Sequence, residues 1–490
     1  MNRVTTGSGS SRGQVPGVPV VGIEQLGRVH FLGLAGVGVS AVARLMLSAG
    51  VPISGTDAKD LPVLDEFRAA GVPVRVGYAA ENLVSVEQET GERIDTIVAS
   101  SVAQAGTNPE FDAAAAAGKR LLHRSEGLAA CMAAKRGIAI AGTHGKTTTS
   151  SMVAAMLHHA GTSPSFAIGA TVAGFGTNAA AGSGQWFVAE ADESDGTLLN
   201  YAPEIAVVTN VEADHLDHYG TAEAVHQIFA DFAERILPGG ALILCIDDPG
   251  AASLAEKVRS PLTARNVELT TYGTAPEADL TLTELTTGST GVQAQLHSGS
   301  QRAQLQLPVP GVHNARNAAA AVAVGLYCGL QLSTAAAGVA SFRGSSRRFE
   351  WRGTVDSIRV YDDYAHHPTE VTAVLAAARS AADTGRVHAI FQPHLFSRTR
   401  AFATEFGTAL GAADTVRVLE IYPAREEPIP GVSSELLGHP VRTRAQAVEE
   451  IVQIAEPGDV VLTLGAGDIT ELGPQIVSAL QRSRTHADRT

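Results

Sequence analysis

Short runs of β-branched and apolar residues recur along the chain, separated by Ala-rich stretches of helical character: "RVHFLG", "DTIVASS", "GIAIAG", "IAVVTNV", "ALILCI", "RVHAIFQ" and "DVVLTLGAG". A strand buried on both faces reads as a continuous apolar run, and the helices between such runs are the crossovers that parallel strands require. The pattern predicts an α/β protein with doubly wound, mainly parallel sheets. The runs fall into three groups, which predicts three domains over residues 27–135, 136–343 and 344–490, behind a disordered tail over 1–26. Residues 281–310, "TLTELTTGSTGVQAQLHSGSQRAQLQLPVP", depart from the pattern. They alternate in polarity and carry Gly-Ser turns, so they predict antiparallel strands added to the middle domain.

Composition narrows the classes. A hydrophobic content of 45% with 18% charged residues is that of a folded protein, and 490 residues fit about three domains on a prior of ~150 residues each. The net charge of -14 argues against non-specific nucleic-acid binding, which demands clustered Lys and Arg. No apolar run long enough to span a bilayer occurs, so no membrane insertion is expected. Residues 1–19 are polar and rich in Gly and Ser, and read as a loose tail, not a secretory signal. Cys131, Cys245 and Cys328 stand far apart with no C-x-x-C spacing, as expected of buried thiols in a reducing compartment, so cytoplasm is the expected address. A monomer and a homodimer are both compatible with this reading.

The stretch "AGTHGKTTTS" over 141–150 carries the first chemistry. A strand ending at Ala141, a turn through Gly142, Thr143, His144 and Gly145, and a helix from Thr147 onward would aim backbone N–H groups and the positive helix end at one point, which suits a polyphosphate. Lys146 adds a full charge there, and the Thr147 hydroxyl can meet Mg²⁺. The usual loop has a glycine five residues before Gly145, where this chain has Ile140. Two acidic loops follow predicted strands: "VAEADESDGT", with Glu190, Asp192, Glu193 and Asp195, and "VVTNVEADHLD", with Asn210, Glu212, Asp214 and His215. Ligands of open α/β sheets bind at the carboxyl ends of the strands, and Mg²⁺ prefers oxygen ligands. Glu190 and His215 are the expected metal contacts, and the other acids of the first loop are expected to be solvated.

The first domain carries a second fingerprint. Gly36-x-Gly38-x-x-Ala41 follows the predicted strand over 29–32, and Asp57 lies 21 residues after Gly36. Taken alone, this spacing is that of a dinucleotide-binding turn with an acid for a ribose hydroxyl, which leaves a nicotinamide dehydrogenase open. It reports only a diphosphate over a helix N-terminus.

With these elements in order, residues 27–480 resemble the Mur ligase family, the ATP-dependent amide-forming enzymes of peptidoglycan synthesis. Its shortened loop, G-[ST]-x-G-K-[ST], matches residues 142–147 and accounts for Ile140. "GLAGVGVSAVA" (33–43), "GTHGKTT", "EADESD", "DDYAHHPTE" and "FQPHLFSRTR" (391–400) carry the resemblance further. It implies a Rossmann-like N-terminal domain for UDP-N-acetylmuramate, a central ATPase domain and a Rossmann-like C-terminal domain for the amino acid, here L-alanine. Residue by residue, it implies ATP phosphates on Gly142, Thr143, His144, Gly145, Lys146, Thr147 and Thr148, and Mg²⁺ on Thr147, Glu190 and His215. Asn314 and Asn317 of "GVHNARN" would face adenine, and Arg348 and Asp363 would reach the nucleotide. His394 and Arg398 would hold L-alanine. Gly36, Gly38, Asp57, Ser100 and Ser101, with His123 and Arg124, would meet the sugar nucleotide. Lys146, His215, His366 and Arg398 are the expected catalytic groups, with His366, His367 and His394 as candidate acceptors of the amine proton. Sister ligases carry a carbamylated lysine after the D-H-[LM]-D motif; residues 215–238 contain no lysine, so none is expected. Gly344, Ser345 and Ser346 are the expected hinge of a mobile third domain.

Overall fold

The computed structural model describes residues 21–100, 103, 105–424 and 426–487. Strands β1 (Arg28–Leu32), β2 (Ile53–Asp57), β3 (Val74–Val76), β4 (Ile94–Ala99) and β5 (Arg120–His123) form an all-parallel sheet in the order β3-β2-β1-β4-β5. The order reverses between β1 and β4, which puts the turn after β1 at the switch point where such sheets bind ligands.

The next sheet contains β6 (Arg136–Ala141), β7 (Ser165–Val172), β8 (Thr177–Ala180), β9 (Trp186–Glu190), β10 (Ile205–Val208), β11 (Ala241–Cys245) and β12 (Glu268–Gly273), in the order β12-β11-β10-β6-β9-β7-β8. Strand β6 lies at its centre, parallel to β10 and β9, so the loops after these three strands share one end. The helix Lys146–His159 follows β6, and every residue from Thr147 to Leu157 is buried. Such a helix cannot shift without breaking packing on all sides, which makes the turn in front of it a rigid platform. Strand β13 (Leu280–Gly288) starts beside β12 in parallel, and β14 (Gly291–Ser298) and β15 (Gln301–Leu307) follow as an antiparallel hairpin, in agreement with the alternation of residues 281–310. The last sheet has β16 (Glu350–Val355), β17 (Ile358–Asp363), β18 (Val387–Phe391), β19 (Thr415–Val418) and β20 (Val460–Leu464), in the order β16-β17-β20-β18-β19. Only β16, at the edge, runs antiparallel to its neighbour.

The strands form three sheets, and the chain packs as two compact units. One takes the chain up to Thr171 with Phe175–Thr281 and Ala320–Gly338; the other takes Val172–Gly174, Leu282–Ala319 and the chain from Val339. Specific contacts tie the first sheet to strands β6–β12 within one unit: the Arg44 guanidinium donates to Asn178 Oδ1 at 3.1 Å, and Asn200 Nδ2 donates to Ser125 Oγ at 2.7 Å. Residues 23–26, expected within the tail, are folded. Ile23–Gln25 form a 3₁₀ turn, Leu26 is fully buried, and its carbonyl accepts the Thr96 hydroxyl at 2.6 Å. Among the described residues, no helix is long and apolar enough to cross a membrane.

Candidate active site

The turn after β6 is built against the chain that follows β10. Gly142 adopts φ 125°, and a Cβ there would lie 2.1 Å from Thr209 Oγ1, so only glycine fits. Asn210 closes the turn from outside: its backbone carbonyl accepts Thr143 N at 3.1 Å, its Oδ1 accepts His144 N at 2.8 Å, and its Nδ2 donates to the His144 carbonyl at 2.9 Å. Two amides expected to face a phosphate are therefore taken. The remaining donors come from the helix start, where Gly145 is the left-handed cap with φ 83° and the first-turn amides have no intrahelical acceptor.

Lys146 sits at that helix start with its ammonium turned back over the turn. Its Nζ donates to the Gly142 carbonyl at 2.8 Å, the Thr143 carbonyl at 3.1 Å and Glu193 Oε1 at 2.9 Å. Burial pulls its pKa down, but the carboxylates of Glu193, Asp192 and Glu190 outweigh burial and raise it, so the ammonium stays charged. The Thr147 hydroxyl donates to Glu190 Oε1 at 3.1 Å, and Glu190 Oε2 accepts Gly169 N at 2.8 Å. A hydroxyl and a carboxylate at a helix N-terminus are hard oxygen donors of the kind Mg²⁺ takes. His215 has φ 56°, with its Nε2 3.6 Å from Asp214 and 3.7 Å from Glu193 Oε1.

Glu193 corrects the expectation of a solvated loop. Its side chain is 2% exposed, and its backbone carbonyl accepts the Tyr219 hydroxyl. Burial, partly offset by Lys146, pushes its carboxyl up to about 7. Asp192 moves the other way: burial opposes ionisation, but Lys146 and the Ser194 amide hold its pKa below the usual range.

In the first domain, Gly33 (φ 76°) makes the turn and Gly36 caps the helix Val37–Ser48. Asp57 braces this turn, its Oδ2 accepting Ala35 N at 2.8 Å and its Oδ1 accepting Lys59 N at 3.2 Å. The space beside Gly38 is filled by a side chain: a Cβ there would come within 2.8 Å of Arg124 NH1, so the arginine would have to move. Among the described residues the Arg124 guanidinium has no hydrogen bond or ion pair, while His123 caps its own helix, Arg124–Ala133, through Ser125. Ser100 follows β4, and its carbonyl accepts Ala103 N at 3.1 Å. Ser101 lies outside the described residues.

The second unit gathers the remaining candidates. Asp363 ends β17 and is buried, its two oxygens each accepting a backbone amide, from Phe349 and from Ala365, at 2.7 Å. Burial, opposed by Arg348, raises its pKa to about 6. The guanidinium carbons of Arg347 and Arg348 lie 4.9 and 5.1 Å from the Tyr364 ring centre. The rings of His366 and His394 are 6.2 Å apart, and His394 stacks on Tyr422 at 5.8 Å. Burial, reinforced by the Arg398 charge, lowers His366 to about 3 and His394 to about 4, so both imidazoles are neutral at pH 7. Among the described residues, Nδ1 of His394 is buried with no hydrogen-bond partner. The His367 ring meets Phe402 edge-on at 4.9 Å. Asn314 Nδ2 donates back to the Pro310 carbonyl at 2.7 Å and Asn317 Nδ2 to Asn314 Oδ1 at 3.4 Å, so both are tied into the start of the helix Val312–Tyr327.

Models of Mur ligase domains match successive parts of the chain: the family's catalytic domain over residues 28–136, the middle domain over 140–325 and the glutamate ligase domain over 347–467. The UDP-N-acetylmuramate–L-alanine ligase of Paenarthrobacter aurescens (strain TC1) is 55% identical over 94% of this chain and 99% of its own length. The chain belongs to the Mur ligase family. A second relative among the Mur ligases, the UDP-N-acetylmuramate–L-alanine ligase of Renibacterium salmoninarum, is 50% identical over 94% of this chain and 97% of its own. The crystal structure of UDP-N-acetylmuramate-alanine ligase MurC from Thermotoga maritima matches with a TM-score of 0.74 at 26% identity, covering 93% of this chain and 99% of that one. A murein peptide ligase from Psychrobacter arcticus 273-4 shares the fold at a TM-score of 0.66 and 23% identity, covering 92% and 98%. The three-domain α/β architecture and the use of ATP are those of a Mur ligase.

Proposed function

We propose that this Mur ligase joins L-alanine to the lactyl carboxylate of UDP-N-acetylmuramate, with ATP converted to ADP and phosphate, in cytoplasmic peptidoglycan precursor synthesis. The observation that carries the reading is the buried, charged Lys146 at the start of the helix Lys146–His159, with Thr147 and Glu190 beside it, in a chain 55% identical to a ligase of that name.

A carboxylate has no leaving group and does not acylate an amine at neutral pH. The lactyl carboxylate oxygen attacks the γ phosphorus of ATP, the bond to the β-bridging oxygen breaks, and an acyl phosphate and ADP result. The neutral amine of L-alanine then attacks the acyl carbon, the tetrahedral intermediate expels inorganic phosphate, and the nitrogen loses a proton. In the first step the protein's task is positioning and charge neutralisation, supplied by Lys146 and the amides of the helix start. Mg²⁺, when bound by Thr147 and Glu190 with His215 nearby, supplies further neutralisation of phosphate charge. No lysine follows the D-H-L-D motif before residue 239, so no carbamylated lysine takes part. In the second step His366, His367 and His394 are the candidate acceptors of the amine proton, His366 and His394 being weak bases while burial holds their pKa values down, and Arg398 pairs with the amino-acid carboxylate. Asn314 and Asn317 serve adenine, and Arg348 and Asp363 serve the nucleotide. Gly36, Gly38, Ser100 and the Arg124 guanidinium serve the diphosphate of the sugar nucleotide, with Asp57 holding their turn in shape.

The test is product formation from UDP-N-acetylmuramate, ATP and either L-alanine or the tripeptide L-alanyl-γ-D-glutamyl-meso-diaminopimelate. Product with L-alanine alone supports the reading, and product with the tripeptide alone refutes it.

A further inference from the structure

Lys146 has three N–H bonds and donates all of them, two to the carbonyls of its own turn and one to Glu193. To reach a phosphate oxygen, the ammonium must exchange one of these acceptors. The two carbonyls lie three and four residues before Lys146, are uncharged, and are held by the frame of Gly142, Thr209 and Asn210 described above. Glu193 comes from a loop 47 residues away, its Oε2 lies 2.7 Å from Nζ, and in its ionised form it competes with a phosphate for the same cation. Its own place is fixed by the Tyr219 hydroxyl and Gly196 N on its carbonyl, and His215 Nε2 lies 3.7 Å from Oε1.

We propose that Glu193 is a positioning residue for the nucleotide: it is the acceptor that Lys146 gives up on meeting the γ phosphate, so the hold of Glu193 on the ammonium is subtracted from the affinity for a triphosphate. The inference rests on the reading that Lys146 binds phosphate and adds the identity of its competitor. A residue that merely supported the fold would weaken binding when changed; this one strengthens it.

The experiment measures the dissociation constant of a non-hydrolysable ATP analogue with Mg²⁺ by calorimetry on the full chain. Glu193→Gln is expected to tighten binding roughly tenfold, the scale of one charge-assisted hydrogen bond. Tyr219→Phe, a gentler change that loosens the Glu193 loop, should tighten it by about threefold, which keeps the test open if the first variant does not fold. In a Lys146→Met background, Glu193→Gln should have no effect. Unchanged or weaker binding by Glu193→Gln in the native background overturns the proposal, as does an equal gain in both backgrounds, which would mark a general charge effect. If Lys146→Met alone leaves the constant unaltered, the phosphate reading of Lys146 fails and takes this proposal with it.

Discussion

Replacing Gly142 by alanine tests how tightly the phosphate turn is built. At φ 125° the residue lies in a region essentially closed to side chains, and the added Cβ would meet Thr209 Oγ1 at 2.1 Å, Thr209 N at 2.8 Å and Asn210 N at 3.1 Å. Backbone strain and overpacking against Thr209 and Asn210, just after β10, together cost about 2 to 6 kcal/mol. Gly161 provides the control. It has φ 75° and nothing within 4 Å of its Cβ position, so alanine there bears only the left-handed backbone term, about 1 to 2 kcal/mol. Trp186, 1% exposed in β9 beside β6, is one of two tryptophans and reports the middle domain directly, whereas Trp351 is 61% exposed. Urea unfolding followed by Trp186 fluorescence should show Gly142→Ala shifted clearly further than Gly161→Ala, with nucleotide binding lost only in the former. Equal midpoints for the two variants, or full nucleotide affinity in Gly142→Ala, would refute the claim that the turn is moulded on Thr209.

Further outcomes follow from the same geometry. Asn210→Ala removes the two side-chain bonds to His144, so KM for ATP in steady-state kinetics should rise roughly tenfold with little change in KM for the sugar nucleotide. Lys146→Ala should lower kcat on the order of 10²-fold or more, read as product formed at saturating substrates. Burial disfavours the Asp459 carboxylate, but the amides of Glu456 and Arg386, together with the His388 and Arg386 side chains, hold it down at about 2. Because the folded pKa lies below the ordinary aspartate value of 3.8, its contribution to stability is present above pH 4 and fades as pH falls towards 2. Acid titration of folding should lose that slope in Asp459→Asn. Burial pushes the Cys131 and Cys328 thiols up to about 12. Iodoacetamide at pH 8 should therefore label them roughly a thousandfold more slowly in the native protein than after denaturation, by mass spectrometry.

Much of this site is legible in the residue order because its chemistry is local. The apolar run of β6, the glycines at 142 and 145 and the lysine that opens a helix are contiguous, and their backbone requirements depend on little else. Glu193 was not legible: its loop holds four acids within six residues, and only the fold decides which of them turns inward. Its burial comes from Lys146, 47 residues earlier, and Tyr219, 26 residues later. Gly38 was legible as a small residue but for a different reason, since the space it leaves is filled by Arg124. Asp57 has the spacing of a ribose ligand, yet its oxygens hold backbone amides of the turn and the loop after β2. The acid's position is the same in both roles, and spacing cannot separate them. The three sheets were visible as three groups of apolar runs, whereas the joining of the first sheet to strands β6–β12 in one unit depends on side-chain contacts such as Arg44 with Asn178, 134 residues apart.

The most direct test of the central claim, that the Lys146 turn holds ATP so that a carboxylate can be phosphorylated, is phosphate release by the full chain with and without each substrate. The account predicts release that needs ATP, UDP-N-acetylmuramate and L-alanine together, matches the amide product one for one, and collapses in Lys146→Ala. Release that ignores the sugar nucleotide, or that survives loss of the lysine, would contradict it.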